Sequence, residues 1–229
     1  MSRGVYTASA MRRKRLVITV LVDNPKSWFI PHGRELVRRL QKRGHRVYLV
    51  HAMNGVKKGD CAFFLSCEKI VPARVRSRNA HNIVIHGSAL PKGKGMSPLT
   101  WQIVEGKKKI PHTIFEAADK IDSGVVYRRG TLKLEGHELL DEMHDKQGAL
   151  IISLALHFIN SYPPKKGTPQ QGHQTLYRRR RPEDSELDPS RPLSGQFNLL
   201  RVVDNEKYPA FFRHRGHTYV LKIYKRTKL

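Results

Sequence analysis

His86 closes the apolar run Asn82-Ile-Val-Ile-His86 and opens a glycine- and proline-rich loop, Gly87-Ser-Ala-Leu-Pro91-Lys-Gly-Lys-Gly95. Asp122 stands farther along, in Ile121-Asp122-Ser-Gly124, between two more β-like runs. An imidazole titrates near neutrality and is suited to moving protons. A carboxylate beside it can orient the ring and balance its charge. The pattern puts both groups at the ends of separate strands, where open α/β sheets keep their ligand-binding loops. The pattern offers an imidazole and a carboxylate to a ligand, although a histidine at a strand end, taken bare, is more often structural than catalytic.

Other clusters carry less. Gly93-Lys-Gly95 fits neither the dinucleotide fingerprint nor the phosphate-binding loop. Lys92 and Lys94, beside the free amides expected at a helix start near Ser97, could still hold phosphate. Histidines are plentiful, but His214 with His217 and His137 with His144 each lack a third ligand at metal spacing. No metal is expected. Cys61 and Cys67, in or beside one apolar run, read as buried thiols rather than a disulfide or zinc ligands.

The elements that must position the pair follow from periodicity and turn residues. Leu16–Val22 is continuous and β-branched and ends in Asp23-Asn24-Pro25, the mark of a first buried strand. Pro31 opens a helix to Arg43, with Leu36, Val37 and Leu40 on one stripe and Gly44 as its left-handed cap. Strands are expected at Arg46–Val50, Cys61–Leu65, Ile83–Ile85, Thr113–Phe115 and Val125–Leu132. Ser97 caps a short helix with Pro98 at its first position, running to about Glu105. A long helix spans Gly136 to about Tyr162. This alternation implies an α/β fold, a Rossmann-like, mostly parallel, doubly wound sheet. A small C-terminal extension follows, with a helix near Gln196–Val203 and a hairpin, Pro209–Arg213 with Thr218–Tyr224, turning at Gly216.

The boundaries expected are a basic tail at 1–15, a catalytic domain at 16–162, a linker at 163–174 rich in Pro, Gly and Gln, and a C-terminal subdomain at 175–229. Met11-Arg-Arg-Lys-Arg15 ahead of Leu16–Val22 imitates a signal peptide but lacks a small-residue cleavage site. The expectation is a cytoplasmic protein, without a run of the ~20 apolar residues a membrane span needs. An apolar content of 39% with 8% aromatics fits a globule rather than a disordered chain. The net charge of +24, partly gathered in Arg12–Arg15, Arg178–Arg181 and Lys222–Lys228, calls for an anionic partner. It does not choose between nucleic acid and nucleotide.

Four segments in order carry a family resemblance. His86-Gly-Ser88-Ala-Leu90-Pro91 with Gly95 resembles the His-x-Ser-Leu-Leu-Pro-x-x-x-Gly motif of formyltransferases that use 10-formyltetrahydrofolate. Ile121-Asp122-Ser-Gly124 resembles their Val/Leu-Asp-x-Gly motif. Ser97-Pro98 through Ile103 to Gly106 resembles the helix between the two, and Phe64-Leu-Ser-Cys-Glu-Lys-Ile-Val-Pro72 the strand and loop that hold the folate ring. The resemblance spans Leu16 to Ile159.

Beyond it, Tyr177–Arg181, Pro182-Glu183-Asp184, Leu187-Asp188, Phe197-Asn198-Leu-Leu-Arg201 and Tyr208-Pro209-Ala-Phe211 resemble the ends of sugar-nucleotide N-formyltransferases, nearest the pseudaminic-acid type. The resemblance implies formyl transfer from 10-formyltetrahydrofolate to a nucleotide-linked amino sugar of the 4-amino-4,6-dideoxyhexose type, for surface-glycan synthesis. His86 would move the proton and share in stabilising the oxyanion, with Asp122 as its electrostatic partner. Ser66, Cys67, Glu68, Lys69 and Ile70, with Asp119, would meet the pterin, the loop largely through backbone groups. Asn24, Lys26, Ser27 and Trp28 would close over the sugar, Trp28 on a ring face and Lys26 on phosphate. The family places asparagine where this chain has Val84, and Asn82, on the same strand face, is the candidate replacement amide. Losing such a donor ordinarily costs about 10²–10³ in rate. A homodimer through the tail hairpin is expected. The competing readings are a methionyl-tRNA formyltransferase, favoured by the charge and opposed by the short tail, and a non-catalytic nucleic-acid-binding protein.

Overall fold

A computed structural model describes residues 14–226. Most of the basic tail, including Arg12 and Arg13, and the end of the Lys222–Lys228 run lie outside it. β1 (Val17–Leu21) is buried almost throughout, as its apolar β-branched run requires. α1 (Ile30–Lys42) buries Ile30, Leu36 and Leu40, and Gly44 follows in the left-handed conformation. β2 (Arg46–Val50) matches its expected bounds, and β3 (Gly59–Phe64) leads into the single-turn α2 (Ala73–Arg76). β4 (Asn79–His86) is much longer than Ile83–Ile85. Its first half is polar and so broke the apolar signal, but Asn79 and Asn82 are buried and hydrogen-bonded to backbone carbonyls.

After the two-residue β5 (Lys94–Gly95) comes α3 (Pro98–Val104), then β6 (Lys109–Glu116) and β7 (Val126–Lys133). The six-stranded sheet has the order β2-β1-β3-β4-β6-β7. It is parallel through β4 and antiparallel across β4-β6-β7. The reversal has a simple length argument. A seven-residue helix rises roughly 10 Å, whereas return past an eight-residue strand needs roughly 25 Å. The chain therefore re-enters the sheet from the end it left.

α4 (Leu140–Asn160) starts later than the expected Gly136, because Glu138 turns the chain first. The buried Glu138 carboxylate accepts the amides of Glu135 and Gly136 at 2.9 Å each. Ile151, Ile152, Ala155, Phe158 and Ile159 of α4 join Leu36 and Leu40 of α1 on one face of the sheet. Val56, Val71 and Val75 cover Leu21, Ala62 and Phe64 on the other. Both faces are thus covered, as a parallel sheet demands. Among the described residues, no helix is long and apolar enough to cross a membrane.

The segment expected as a linker is tied to the sheet. Thr168 exchanges two 2.8 Å backbone hydrogen bonds with Val126. β8 (Leu176–Tyr177) then runs parallel to β5. A 3₁₀ turn (Pro182–Ser185), α5 (Leu193–Leu200) and the hairpin of β9 (Ala210–His214) and β10 (His217–Leu221) complete the chain. Arg215 and Gly216 both have positive φ, the geometry a two-residue hairpin turn prefers. Leu187, Leu200, Val203 and Ala210 form a local core, while Tyr219 and Val220 remain exposed.

Arg201, just past α5, is 1% exposed and meets Glu138 at 3.5 Å. Lys146 reaches the same carboxylate at 2.5 Å. The Lys146 ammonium and the backbone amides hold the Glu138 carboxyl well below the usual carboxylate range despite its burial. Removing one partner of such a pair leaves an uncompensated buried charge. Glu138→Ala should therefore lower the unfolding free energy by about 3–5 kcal/mol in urea titrations. Pairing it with Arg201→Leu should recover a substantial part of the loss. A single variant within 1 kcal/mol of wild type, on the order of surface substitutions, would remove this pair from the stabilising framework.

Candidate active site

His86 is the last residue of β4 and pairs with Thr113 of β6, which fixes where its side chain leaves the sheet. Its Nε2 lies 2.8 Å from the Gly93 carbonyl oxygen, so Nε2 carries the hydrogen and donates it. Asp122, in a left-handed backbone conformation, brings Oδ2 to 3.7 Å from the same nitrogen. That oxygen accepts the Gly95 amide at 2.9 Å. Each side chain is 11% exposed. The two predicted residues therefore meet, but the ring is oriented by a backbone carbonyl and the carboxylate by a backbone amide. The turn behind Asp122 demands Gly124, where an added Cβ would lie 1.6 Å from the Glu116 carbonyl oxygen.

Both residues line a cleft of ≈ 410 Å³ with Ser66, Cys67, Glu68, Lys69 and Ile70. Ser66 has positive φ, and its hydroxyl is 3.0 Å from that of Ser27. The amides of Glu68 and Lys69 are already used: both donate to the Asp23 carboxylate. Asn24 donates to Glu68 Oε1 and accepts the Lys26 amide, so it ties two loops together outside the cleft lining. Trp28 lines the cleft and stacks on His144 with centroids 4.3 Å apart, edge-on to Phe29.

Other expected residues lie elsewhere. Asn82 is not in the lining; its amide donates to the Arg76 and Asn79 carbonyls, beneath the strand's far half. It therefore supplies no amide beside His86. Val84 does reach the cleft, where it packs on the Leu90, Phe115 and Val126 cluster. Asp119 is an exposed partner of Arg76 and outside the lining. Lys26, Lys92 and Lys94 are also outside it, Lys94 Nζ meeting Gln174 Oε1 at 3.3 Å. Ser97 has positive φ and makes no side-chain cap, so the start of α3 is not the capped end expected.

Several residues of consequence were not singled out by their sequence context. His144 and Gln147 share one face of α4 and line the cleft; their helical spacing was the available signal. His112 is fully buried beneath Gly87. Its Nδ1 faces the Ile110 carbonyl, and its Nε2 lies 3.0 Å from Gln147 Nε2. Gln170, in the former linker, donates to the carbonyls of both Asp122 and Gly124 at 2.9 Å. Thr175 Oγ1 accepts the Gly93 amide at 2.8 Å.

The family model described as Formyl transferase matches residues 33–150. A methionyl-tRNA formyltransferase from Clostridium thermocellum is 21% identical with a TM-score of 0.73, over 88% of this chain and 89% of that one. HypX from Aquifex aeolicus, solved with tetrahydrofolic acid, is 18% identical with a TM-score of 0.73 over 91% of this chain, which spans 37% of HypX. A sugar N-formyltransferase from Shewanella sp FDAARGOS_354 is 13% identical with a TM-score of 0.62, over 93% and 99% of the two chains. At these identities the likeness is one of fold.

Burial pushes the His112 imidazole down to about 4 from an ordinary 6.5, and His144 moves equally far for the same reason. Above pH 6.5 both folded and unfolded chains hold these rings neutral. Below it the unfolded chain takes up protons that the folded chain resists, so stability falls as pH drops toward 4. His112 alone should contribute a loss of about 3 kcal/mol across this window. Urea melts between about pH 7.5 and 4.5, above the range where most carboxylates titrate, should show it. A flat profile would mean that neither ring is held neutral.

Proposed function

This chain belongs to the formyl transferase family, and from that premise we propose that it moves a formyl group from 10-formyltetrahydrofolate to the amino group of a nucleotide-linked amino sugar. The observation that carries the reading is the 3.7 Å approach of His86 and Asp122 on the wall of one cleft. Phe64, Val71, Val84 and Phe115 give that cleft apolar walls suited to a flat ring system, and its volume lies in the small-ligand range. The loop at 66–70 would flank the pterin. HypX holding tetrahydrofolic acid in the same fold supports the choice of donor.

Bound there, the donor would supply an activated formyl carbon. His86 holds a hydrogen on Nε2 that, turned from Gly93 O to the ligand, would stabilise negative charge on the formyl oxygen. His86 would take the proton that the acceptor amine releases, becoming cationic, and then give a proton to the departing nitrogen, which returns the ring to its neutral form. The Asp122 carboxylate, fixed by the Gly95 amide, stabilises any cationic ring that results. Trp28, backed by His144, offers an apolar plane for a sugar ring, and Lys69 and Lys120 bring cations to the lining for phosphate. The likeness to a sugar N-formyltransferase along almost its whole length supports this acceptor class.

A second reading has its own support. The +24 charge suits tRNA, and the methionyl-tRNA formyltransferase covers nearly as much of the chain. The deciding experiment supplies 10-formyltetrahydrofolate with either nucleotide-linked 4-amino sugars or charged initiator tRNA and weighs the products for one added CO. Formylation of tRNA alone would transfer the proposal to that acceptor. His86→Ala and Asp122→Asn should each lower kcat by about 10² or more while the acceptor KM changes little. Near wild-type turnover in either variant would remove its role.

A further inference from the structure

His86 ends β4 and Asp122 sits in a later turn; among the described residues, the hydrogen bond joining the loop after β4 to that turn runs from the Gly95 amide to the Asp122 carboxylate. What spans both loops is the segment from Thr168 to Arg178. At one end Thr168 is paired with Val126, just past the Asp122 turn. Gln170 then spends both amide hydrogens on that turn, one on the Asp122 carbonyl and one on the Gly124 carbonyl. Its own Oε1 is buried and finds no partner among the described residues, so the amide is committed to this single task at some cost. At the other end Thr175 accepts the Gly93 amide through its hydroxyl and the Lys94 amide through its carbonyl. Tyr177 O takes the Met96 amide, and Trp101 Nε1 donates to Arg178 O at 2.8 Å, under the Arg178 guanidinium.

We propose that Gln170 is a positioning residue for the transfer reaction: by clamping the Asp122 and Gly124 carbonyls it holds the Asp122 carboxylate in register with His86. The proposal rests on the formyl-transfer reading of the site. Asp122 sits in a left-handed conformation that non-glycine residues adopt at a cost, so an external restraint is needed to keep it there. Without the clamp the turn relaxes and the carboxylate leaves both the Gly95 amide and the imidazole. Thr175, on the same strap, accepts the Lys94 amide through its carbonyl and so holds the peptide whose Gly93 carbonyl orients His86. The strap thus acts on the two groups at separate points, and Gln170 acts on Asp122 alone.

The test compares wild type, Gln170→Ala, Gln170→Glu, Asp122→Asn and the Gln170→Ala/Asp122→Asn double variant. Gln170→Glu keeps the shape but turns a carboxylate toward two carbonyl oxygens. Both Gln170 variants should lower kcat about 10- to 100-fold, as small misplacements of catalytic groups do, with donor and acceptor KM little changed. In the Asp122→Asn background Gln170→Ala should add almost nothing, because the group it positions is already gone. A multiplicative loss in the double variant overturns the proposal. A second readout does not depend on turnover. Amide hydrogen exchange at Gly95, which is held by Asp122, should speed up in Gln170→Ala, while Lys94 and Met96, held by the strap backbone, keep their wild-type rates. If all three accelerate together, the strap has peeled away and Gln170 is merely structural. Wild-type protein that transfers no formyl group would count against the reaction, while the exchange comparison would still test the positioning.

Discussion

In the loop between β4 and α3 the backbone sets the geometry of the candidate site. One carbonyl, Gly93 O, orients the imidazole; one amide, Gly95 N, holds the carboxylate; they are two residues apart on the same stretch of chain. The pair does not form its own hydrogen bond at 3.7 Å. Its geometry is inherited from the path of this loop, so whatever fixes the loop fixes the site. That is why β5 exists at all. Two residues pair with β8 in a sheet far too small to be stable alone, and their function is to hold a loop rather than build a core.

Around this loop the burial of polar groups is unusually deliberate. Gln102 donates to the Gly87 carbonyl, Thr113 to the Ser88 carbonyl, and Gln147 sits against the neutral His112 under the same turn. Each satisfies a backbone or ring atom that would otherwise be stranded beneath the cleft floor. Val84 stands in this neighbourhood as an apolar exception, continuous with the Leu90 and Phe115 cluster. The stabilisation an asparagine amide gives at that position in the resembling family therefore has no side-chain source at residue 84. His86 Nε2–H and the fixed carboxylate stand on the same cleft wall, with His144 and Gln147 of α4.

Much of this was legible in the chain before folding. His86 and Asp122 were visible because proline and glycine mark their turns and because each follows or precedes a β-branched run. The strand and helix pattern was equally plain, except where polar side chains are buried for backbone reasons, as in the first half of β4. Two places in the fold lie beyond what strand periodicity and composition can report. Asn82 shares the strand face of residue 84, where the resembling family has asparagine, but lies two residues earlier, and its amide is used at the far end of the strand. Residues 163–172 look like a free connector by composition. Composition reports the absence of an apolar stripe; it cannot report that Thr168 and Gln170 find backbone partners on another loop. Asp23, His112, Gln147 and Gln170 are ordinary polar residues in sequence and become significant only through three-dimensional partners.

The strap also sets an order of events during synthesis. A nascent chain that has cleared the ribosome through Asn160 already contains every strand of the main sheet and both of its packed helices, α1 and α4. It would have a folded core and an unaligned centre. The following stretch, Thr168 to Arg178, is the part of the chain that ties the two loops together. Competence would thus arrive later than foldedness, conferred by a stretch of chain that contributes no residue to the lining.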